Sequence, residues 1–227
     1  MTESTPRLRI TSRSGKVKVA AVPGAALAVT GGRAASEEDG VVEIRPDGSS
    51  TLEIACPAGS DLTISTGSGN IDVRGDAGSV KVITRSGSLR IEHATAVDAR
   101  GASGKVEVGA CSGECHVAYV SSDVRIGSAG RAVVATTSGD IEVGEAGDAE
   151  VKTVSGKITL GGRGGGRLAA RTISGSVSIS VPEGSRPTTR LKSLSGRVRC
   201  ECESGENGDD GEIKASTVSG TVTVRCR

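Results

Sequence analysis

The sequence predicts an all-β fold, a single-stranded parallel β-solenoid with about 17–18 residues and two short strands in each rung. Three observations predict it: a Ser-Gly pair recurs at a nearly fixed period, apolar residues alternate on both sides of each pair, and aromatic residues are almost absent. A fixed period of this length is typical of stacked supersecondary units. The serines of the repeat are Ser68, Ser86, Ser103, Ser138, Ser155, Ser174, Ser195 and Ser219, with Ser121 and Ser122 in the one gap.

The first strand of each rung follows the Ser-Gly pair. With the Ser counted as position zero, positions +3 and +5 are aliphatic in nearly every rung, as in Ile71 and Val73 or Ile158 and Leu160. Alternation with a period of two indicates a strand with one buried face. We expect the glycine at the corner to adopt a positive φ, which glycine does at little cost.

The second strand of each rung precedes the Ser-Gly pair. Positions −6 and −4 are apolar, as in Leu62 and Ile64 or Ala149 and Val151. Equivalent strands of successive rungs should pair in parallel, about 4.8 Å apart. A thin lumen lined by aliphatic side chains leaves little room for large rings, and the chain has one Tyr and no Phe or Trp. The repeat exists because one coil cannot bury its own apolar face.

The outward position +4 alternates in charge from rung to rung, which predicts ion pairs between neighbouring rungs. The residues at this position are Asp72, Arg90, Glu107, Arg125 and Glu142.

The two ends of the chain fit the repeat differently. We divide the chain into an N-terminal β cap or degenerate rungs at residues 1–56 and a solenoid of about nine rungs at residues 57–227. The sequence stops on a regular strand at 221–227, which we expect to leave an open edge. An open strand edge can recruit another chain, so self-association through the ends of the solenoid is one predicted assembly.

Two outer surfaces are candidate interaction surfaces. Inserts lengthen three rungs, and we expect them at one edge because insertions in solenoids gather on one side, although tolerance of longer turns also explains them. The outer face of the strand before the Ser-Gly corner carries the least polar patch. The candidate residues are Arg163 and Arg167 in 161–167, Glu183 and Arg186 in 182–187, Glu206, Asp209 and Asp210 in 203–212, and Ile83, Ala118, Val133 and Ala135 in the apolar patch.

Composition excludes several classes of partner. The formal net charge is +1, with 28 basic and 27 acidic residues intermixed, so no electrostatic footprint for nucleic acid is present. No apolar run approaches a membrane span, and the N-terminus lacks the pattern of a signal peptide, so we expect no direct membrane insertion and a cytoplasmic location.

The six cysteines do not form a recognisable metal site. Cys202 and Cys226 occupy the same offset in neighbouring rungs, so a disulfide between them is possible, but in a cytoplasmic protein buried thiols are expected instead. The cluster of Cys111, Cys115 and His116 has mixed soft ligands and lacks a fourth. We expect no metal and no cofactor.

The sequence also lacks a catalytic constellation. The glycine-rich segment 161–166 fits no phosphate-binding motif, and no serine lies in a nucleophile elbow. A carbohydrate-active solenoid would need acids that converge on one groove, whereas the outward acids here are interleaved with arginines. We therefore predict a non-enzymatic scaffold or protein-interaction module.

Three segments resemble a bacterial family of β-strand repeats. They are 56–75, the recurrent pattern TxSGxIxV, and 181–198, and the similarity extends over about residues 13–227. The family is a domain of unknown function often labelled "putative adhesin". The resemblance implies a β-solenoid and no established catalytic residues. Because many members are tied to the membrane or cell envelope, it also implies an alternative function, a ligand-sensing or regulatory module of an envelope-stress system.

Overall fold

The computed structural model describes residues 6–38, 40–47, 51–203 and 211–227. Within these ranges the chain forms strands, turns and isolated bridges and no helix. Most strand pairs are parallel and join equivalent positions of neighbouring repeats, so the predicted parallel β-solenoid is confirmed. The chain forms two compact units, Met1–Ser112 and Gly113–Arg227. The boundary that we placed at residue 56 stays a prediction.

The N-terminal unit contains eight strands and the beginning of a ninth among its described residues. They are β1 (Arg7–Ser12), β2 (Lys16–Val22), β3 (Ala28–Thr30), β4 (Gly32–Glu38), β5 (Val41–Pro46), β6 (Thr51–Pro57), β7 (Asp61–Ser68), β8 (Ile71–Ser86) and the start of β9 (Leu89–Ala135).

The order of rungs in this unit differs from the order of the sequence. Strand β1 pairs in parallel with both β5 and β7, and β2 pairs in parallel with both β6 and β8. The rung of β5 and β6 therefore lies outside the rung of β1 and β2, although it comes later in the chain. Strands β4 and β3 then pair antiparallel with β5 and β6. These antiparallel strands cover the edges that β5 and β6 would otherwise leave open.

The C-terminal unit contains the remainder of β9 and eight further strands in its described part. They are β10 (Ile141–Lys152), β11 (Ile158–Gly162), β12 (Arg167–Arg171), β13 (Val177–Val181), β14 (Thr188–Ser195), β15 (Val198–Cys200), β16 (Glu212–Ser219) and β17 (Val222–Cys226).

The last strands of the chain are covered rather than open. Strand β16 lies between β12 and β14, and β17 lies between β13 and β15. The prediction that 221–227 forms the open edge is therefore wrong. Val222 and Val224 become fully buried because another rung covers them. The outermost rung is instead formed by β14 and β15, whose inward positions include the polar Thr189.

The predicted inward positions form the core. In both units positions −6, −4, +3 and +5 are buried in the covered rungs. The exceptions lie in the outermost rung, where Val198 is 45% exposed and Cys200 is exposed, because no described strand lies beyond them.

Backbone conformation at the corners explains the Ser-Gly repeat. Gly156 has a φ of 142°, and a Cβ added there would lie 2.1 Å from the carbonyl oxygen of Gly139 on the neighbouring rung. The predicted positive φ is therefore confirmed, and close stacking of the corners excludes a side chain. In most rungs the residue two positions before the corner serine is a buried threonine, such as Thr136, whose Oγ1 donates to Ser138 O at 3.0 Å.

Candidate interaction surfaces

A row of exposed aliphatic side chains runs along the Ser-Gly corners of the C-terminal unit. The residue just before each corner serine is exposed in this unit, whereas most of the residues one position earlier are buried, as in Thr153 and Val154. We call this row the corner stripe. In spatial order it consists of Val120, Thr137, Val154, Ile173, Val218 and Leu194, and its aliphatic members are 55%, 42%, 51%, 45% and 84% exposed.

Backbone hydrogen bonds place the members of the corner stripe on successive rungs. The amide of Ile173 donates to Val154 O at 3.3 Å, and the amide of Val218 donates to Ile173 O at 3.2 Å. Leu194 lies beside Val218, because the flanking residues of β14 and β16 pair in register. With rungs about 4.8 Å apart, the four members from Val154 to Leu194 form a continuous apolar line, and Thr137 separates Val120 from it.

The corresponding residues of the N-terminal unit include no Val, Ile or Leu. They are Arg13, Gly67, Arg85 and Ala102. Since the two units share one repeat, the backbone geometry of the corner does not require an apolar residue there. The corner stripe is therefore a property of the C-terminal unit and not of the fold.

A cationic groove lies on the outer face of β10, β12, β16 and β14 in the C-terminal unit. It has a volume of about 410 Å³, and small residues such as Ala169 and Ser216 form its floor. We call it the basic groove. Its cations are Lys152, Arg171, Arg190, Lys192 and Lys214, and Glu150 is the acidic residue in its lining.

The positive charge of the basic groove is only partly balanced. Lys152 Nζ lies 2.5 Å from Glu150 Oε1, and this hydrogen bond is the main cause that lowers the pKa of Glu150 below its ordinary value. Lys214 Nζ is similarly paired with Glu212 at 2.7 Å. Among the residues that the structure describes, Arg171, Arg190 and Lys192 form no ion pair. Two of these three unpaired cations, Arg190 and Lys192, lie on β14.

A groove of similar size in the N-terminal unit is electrically balanced. Its volume is about 360 Å³. Lys18 Nζ lies 2.6 Å from Glu53 Oε1, and Arg74 lies 3.1 Å from Asp72 Oδ2. The unbalanced charge is therefore a feature of the C-terminal unit as well.

The predicted inserts do meet at one edge of the C-terminal unit, as far as the structure describes them. Glu212 donates its N–H to Gly166 O at 3.0 Å, and Arg186 forms an ion pair with Glu203 at 3.3 Å. Glu206, Asp209 and Asp210 lie outside the described residues.

The arginines of the first insert form ion pairs within the C-terminal unit. Arg163 Nε lies 3.7 Å from Glu145 Oε2, and Arg167 lies 3.1 Å from Glu212 Oε2. The amide of Glu183 donates to Arg227 O at 2.7 Å. The role of the inserts in binding stays a prediction.

The predicted apolar patch is less apolar than the corner stripe. Ile83 is 49% exposed and lies in the N-terminal unit. In the C-terminal unit Ala118 and Val133 are half-buried and Ala135 is exposed. Val133 and Ala135 pair with Glu150 and Lys152, so they continue the outer face that holds the basic groove.

The charge ladder at position +4 is confirmed for two pairs, whereas Asp72 pairs with Arg74 on its own strand. Arg90 lies 2.6 Å from Glu107 in the N-terminal unit, and Arg125 lies 2.8 Å from Glu142 in the C-terminal unit. These pairs are exposed, and such pairs are individually worth about 0.2–1 kcal/mol.

The expectation of reduced thiols is wrong for one pair of cysteines. Cys202 and Cys226 form a disulfide, because pairing of β15 with β17 brings their Cα atoms to 5.4 Å. Cys111 is buried and its Sγ donates to Thr95 O at 3.6 Å, and Cys115 is buried in the other unit. In the described ranges no group of three or more His, Cys, Asp and Glu residues could hold a metal ion. None of the described segments forms a helix with the length and apolar character that spanning a bilayer requires.

Comparison with known proteins identifies a family and a fold. The family model described as Toastrack DUF4097 matches residues 2–225. A solved structure of a "putative adhesin" from Bacteroides fragilis is 13% identical and has a TM-score of 0.50, with 99% of this chain and 93% of that chain covered. A "putative cell adhesion protein" from Clostridium sporogenes is 11% identical, with a TM-score of 0.23 and coverage of 98% and 93%. No curated protein matches the chain.

Proposed function

Because the chain belongs to the Toastrack family, DUF4097, we propose that it is a non-enzymatic protein-interaction module that binds its partner through the corner stripe. The observation that carries the proposal is the exposure of four aliphatic side chains on neighbouring rungs, from Val154 to Leu194, which are 42% to 84% exposed. Contiguous apolar surface of this kind marks an interaction site, whereas single exposed apolar residues need no explanation.

The apolar contact supplies part of the free energy that a specific complex needs. Full burial of an aliphatic side chain is worth about 1.5–3 kcal/mol, and the exposed half of each stripe residue is worth about 1 kcal/mol. Four such residues together offset part of the entropy lost on association, and polar contacts at the rim supply the rest. The name of the Bacteroides fragilis neighbour refers to adhesion, which is also a binding function.

Self-association through the ends is the assembly that the sequence suggested, and we propose that this chain does not use it. At the N-terminal end β3 and β4 cover the outer rung. At the other end the outermost rung carries Arg190, Lys192 and Arg199, so two copies of this edge would oppose like charges. Light scattering across a dilution series should give a monomer of 22.7 kDa, and a mass that rises with concentration would contradict this.

Site-specific photo-crosslinking in the host organism tests the proposal. A benzophenone side chain is placed at Ile173 in the corner stripe or, as the matched control, at Arg85, which has the same repeat position in the N-terminal unit. We expect a discrete protein adduct from position 173 that position 85 does not give. If neither position gives an adduct, or if both give the same set, the corner stripe is not the binding surface.

A further inference from the structure

We propose that the basic groove and the free edge of β14 form a docking site for an acidic segment of a partner protein, which adds to the sheet as an extended strand. This inference rests on the proposed function, since it assigns the chemistry of the partner. It goes beyond that function because it uses a different surface and a different kind of interaction, namely backbone pairing and charge.

The free edge supplies the hydrogen bonds. Strand β14 runs over eight residues from Thr188 to Ser195 and pairs in parallel with β16. No other strand in the described part of the chain pairs with β14, so its second edge presents unpaired N–H and C=O groups. Addition of an extended peptide to such an edge gains affinity from main-chain hydrogen bonds and specificity from alternate side chains.

Two rows of outward side chains cross the strands beside this edge, and each row ends in a cation on β14. The first row crosses the strands at Glu150, Ala169, Lys214 and Arg190, and the second crosses at Lys152, Arg171, Ser216 and Lys192. In both rows the member on β14 is a cation that forms no ion pair among the described residues. A strand added beyond β14 would place its outward side chains next to these two cations.

The spacing of the two cations matches a strand and not a general polyanion. Arg190 and Lys192 are two residues apart, which is the period of side chains on one face of a strand. Acids at every second residue of an added strand would therefore oppose both, and each cross-strand pair of opposite charge is worth about 0.2–1 kcal/mol. Proteins that bind single-stranded nucleic acid commonly stack its bases on aromatic side chains, and the chain has a single Tyr.

The edge is also protected against the wrong partner. Charged residues on an edge strand oppose pairing with like-charged strands, including a second copy of the same edge. Leu194 is 84% exposed on β14 itself, two positions beyond Lys192. The docking site thus adjoins the corner stripe, and one partner could contact both surfaces.

Fluorescence anisotropy with a labelled peptide tests the inference on the full chain. The probe is an eight-residue peptide that alternates Glu with Thr or Val, and its matched control replaces each Thr and Val with Pro, which keeps the four carboxylates and prevents strand pairing. We expect binding of the alternating peptide that weakens with added salt, and at least tenfold weaker binding of the proline peptide. Hydrogen exchange of the amides of 188–195 should slow only with the alternating peptide.

Two double variants locate the site. Arg190→Glu with Lys192→Glu should lower the affinity at least tenfold, whereas Arg13→Glu with Arg85→Glu, which reverses two exposed cations in the N-terminal unit, should change it less than twofold. The inference is overturned if the alternating peptide does not bind, or if both peptides bind equally. It is also overturned if a heparin fragment or vesicles of anionic phospholipid bind as well as the peptide does, since the surface would then be a general polyanion site. If the photo-crosslink from Ile173 fails but the peptide still binds, the corner stripe is rejected as a binding surface and the docking site on β14 is retained.

Discussion

Cys202, which follows β15, is joined by a disulfide to Cys226 of β17, and the two residues are 24 positions apart in the chain. The bond ties the outermost rung of the C-terminal unit to the rung that it covers. Since the described strands flank the outermost rung on one side only, this covalent link compensates for contacts that a covered rung would make.

Removal of this bond should destabilise the C-terminal unit. Closing a loop of this length is worth about 3 kcal/mol through the entropy of the unfolded chain. We expect Cys202→Ser to lower the free energy of unfolding by about that amount in urea. The matched control is Cys200→Ser, because Cys200 is exposed on β15 and is not in a disulfide. Equal stabilities of the two variants would show that the bond does not support the rung.

The state of the six cysteines also tests the expected cytoplasmic location. The disulfide uses two of them, so protein denatured without reductant should expose four thiols. Alkylation in intact host cells before lysis reports the state in vivo. Six labelled thiols would agree with a reducing compartment, where such bonds rarely persist, and four would contradict the cytoplasmic location.

The Ser-Gly corners should not tolerate a side chain. Gly156→Ala places a Cβ against Gly139 O and forces alanine to a φ of 142°, so we expect a loss of at least about 3 kcal/mol in unfolding free energy. Gly165→Ala is the control, because its φ of +76° carries a conformational cost of about 1–2 kcal/mol while no atom lies within 4 Å of the added Cβ. Similar losses for the two variants would mean that φ alone, and not stacking of the corners, requires glycine.

Removal of the side-chain hydroxyl two residues before the corner should have opposite effects on stability in two rungs. Tyr119 Oη is buried with no hydrogen-bond partner among the described residues, and burial raises its pKa to about 12. Tyr119→Phe should therefore leave stability unchanged or raise it by about 1 kcal/mol. Thr136→Val removes the hydrogen bond to Ser138 O and should cost about 1 kcal/mol. Chemical denaturation of both variants measures the contrast, and a destabilised Tyr119→Phe would reveal a partner for the hydroxyl.

Acid should weaken the charge ladder. Hydrogen bonds from Lys105 and Arg90 lower the pKa of Glu107 below its ordinary value of 4.5. A carboxylate with a lowered pKa stabilises the fold above its unfolded value, and this contribution is lost as pH falls through the folded value. We expect the difference in melting temperature between wild type and Glu107→Gln to be constant above about pH 5 and to shrink below about pH 4.

The repeat made most of the fold predictable. Alternation around each corner identified inward residues such as Ile158 and Val151, because a period of two has one physical meaning in a strand. The exchange of rung order at both ends was not predictable in this way. A template assumes that sequence neighbours are spatial neighbours, whereas β16 lies between β12 and β14.

The candidate surfaces were less predictable than the core. The corner stripe has a signal in the sequence, since Val154 and Ile173 occupy the same repeat position. The alternating pattern of the strands does not include that position, so it was not identified as a surface. The basic groove depends on the exchanged rung order, which sets Lys214 beside Arg190. Counting along the sequence alone gives these residues other neighbours.

The most direct test of the account is the affinity of the crosslinked partner for three forms of the chain: wild type, Ile173→Asp and Arg85→Asp. The two variants change the same repeat position, once in the corner stripe and once in the N-terminal unit. We predict at least a tenfold loss of affinity for Ile173→Asp, about 1.4 kcal/mol, and no loss for Arg85→Asp, with both variants folded as judged by circular dichroism. Equal affinities of the three forms would contradict the assignment of the corner stripe as the binding surface.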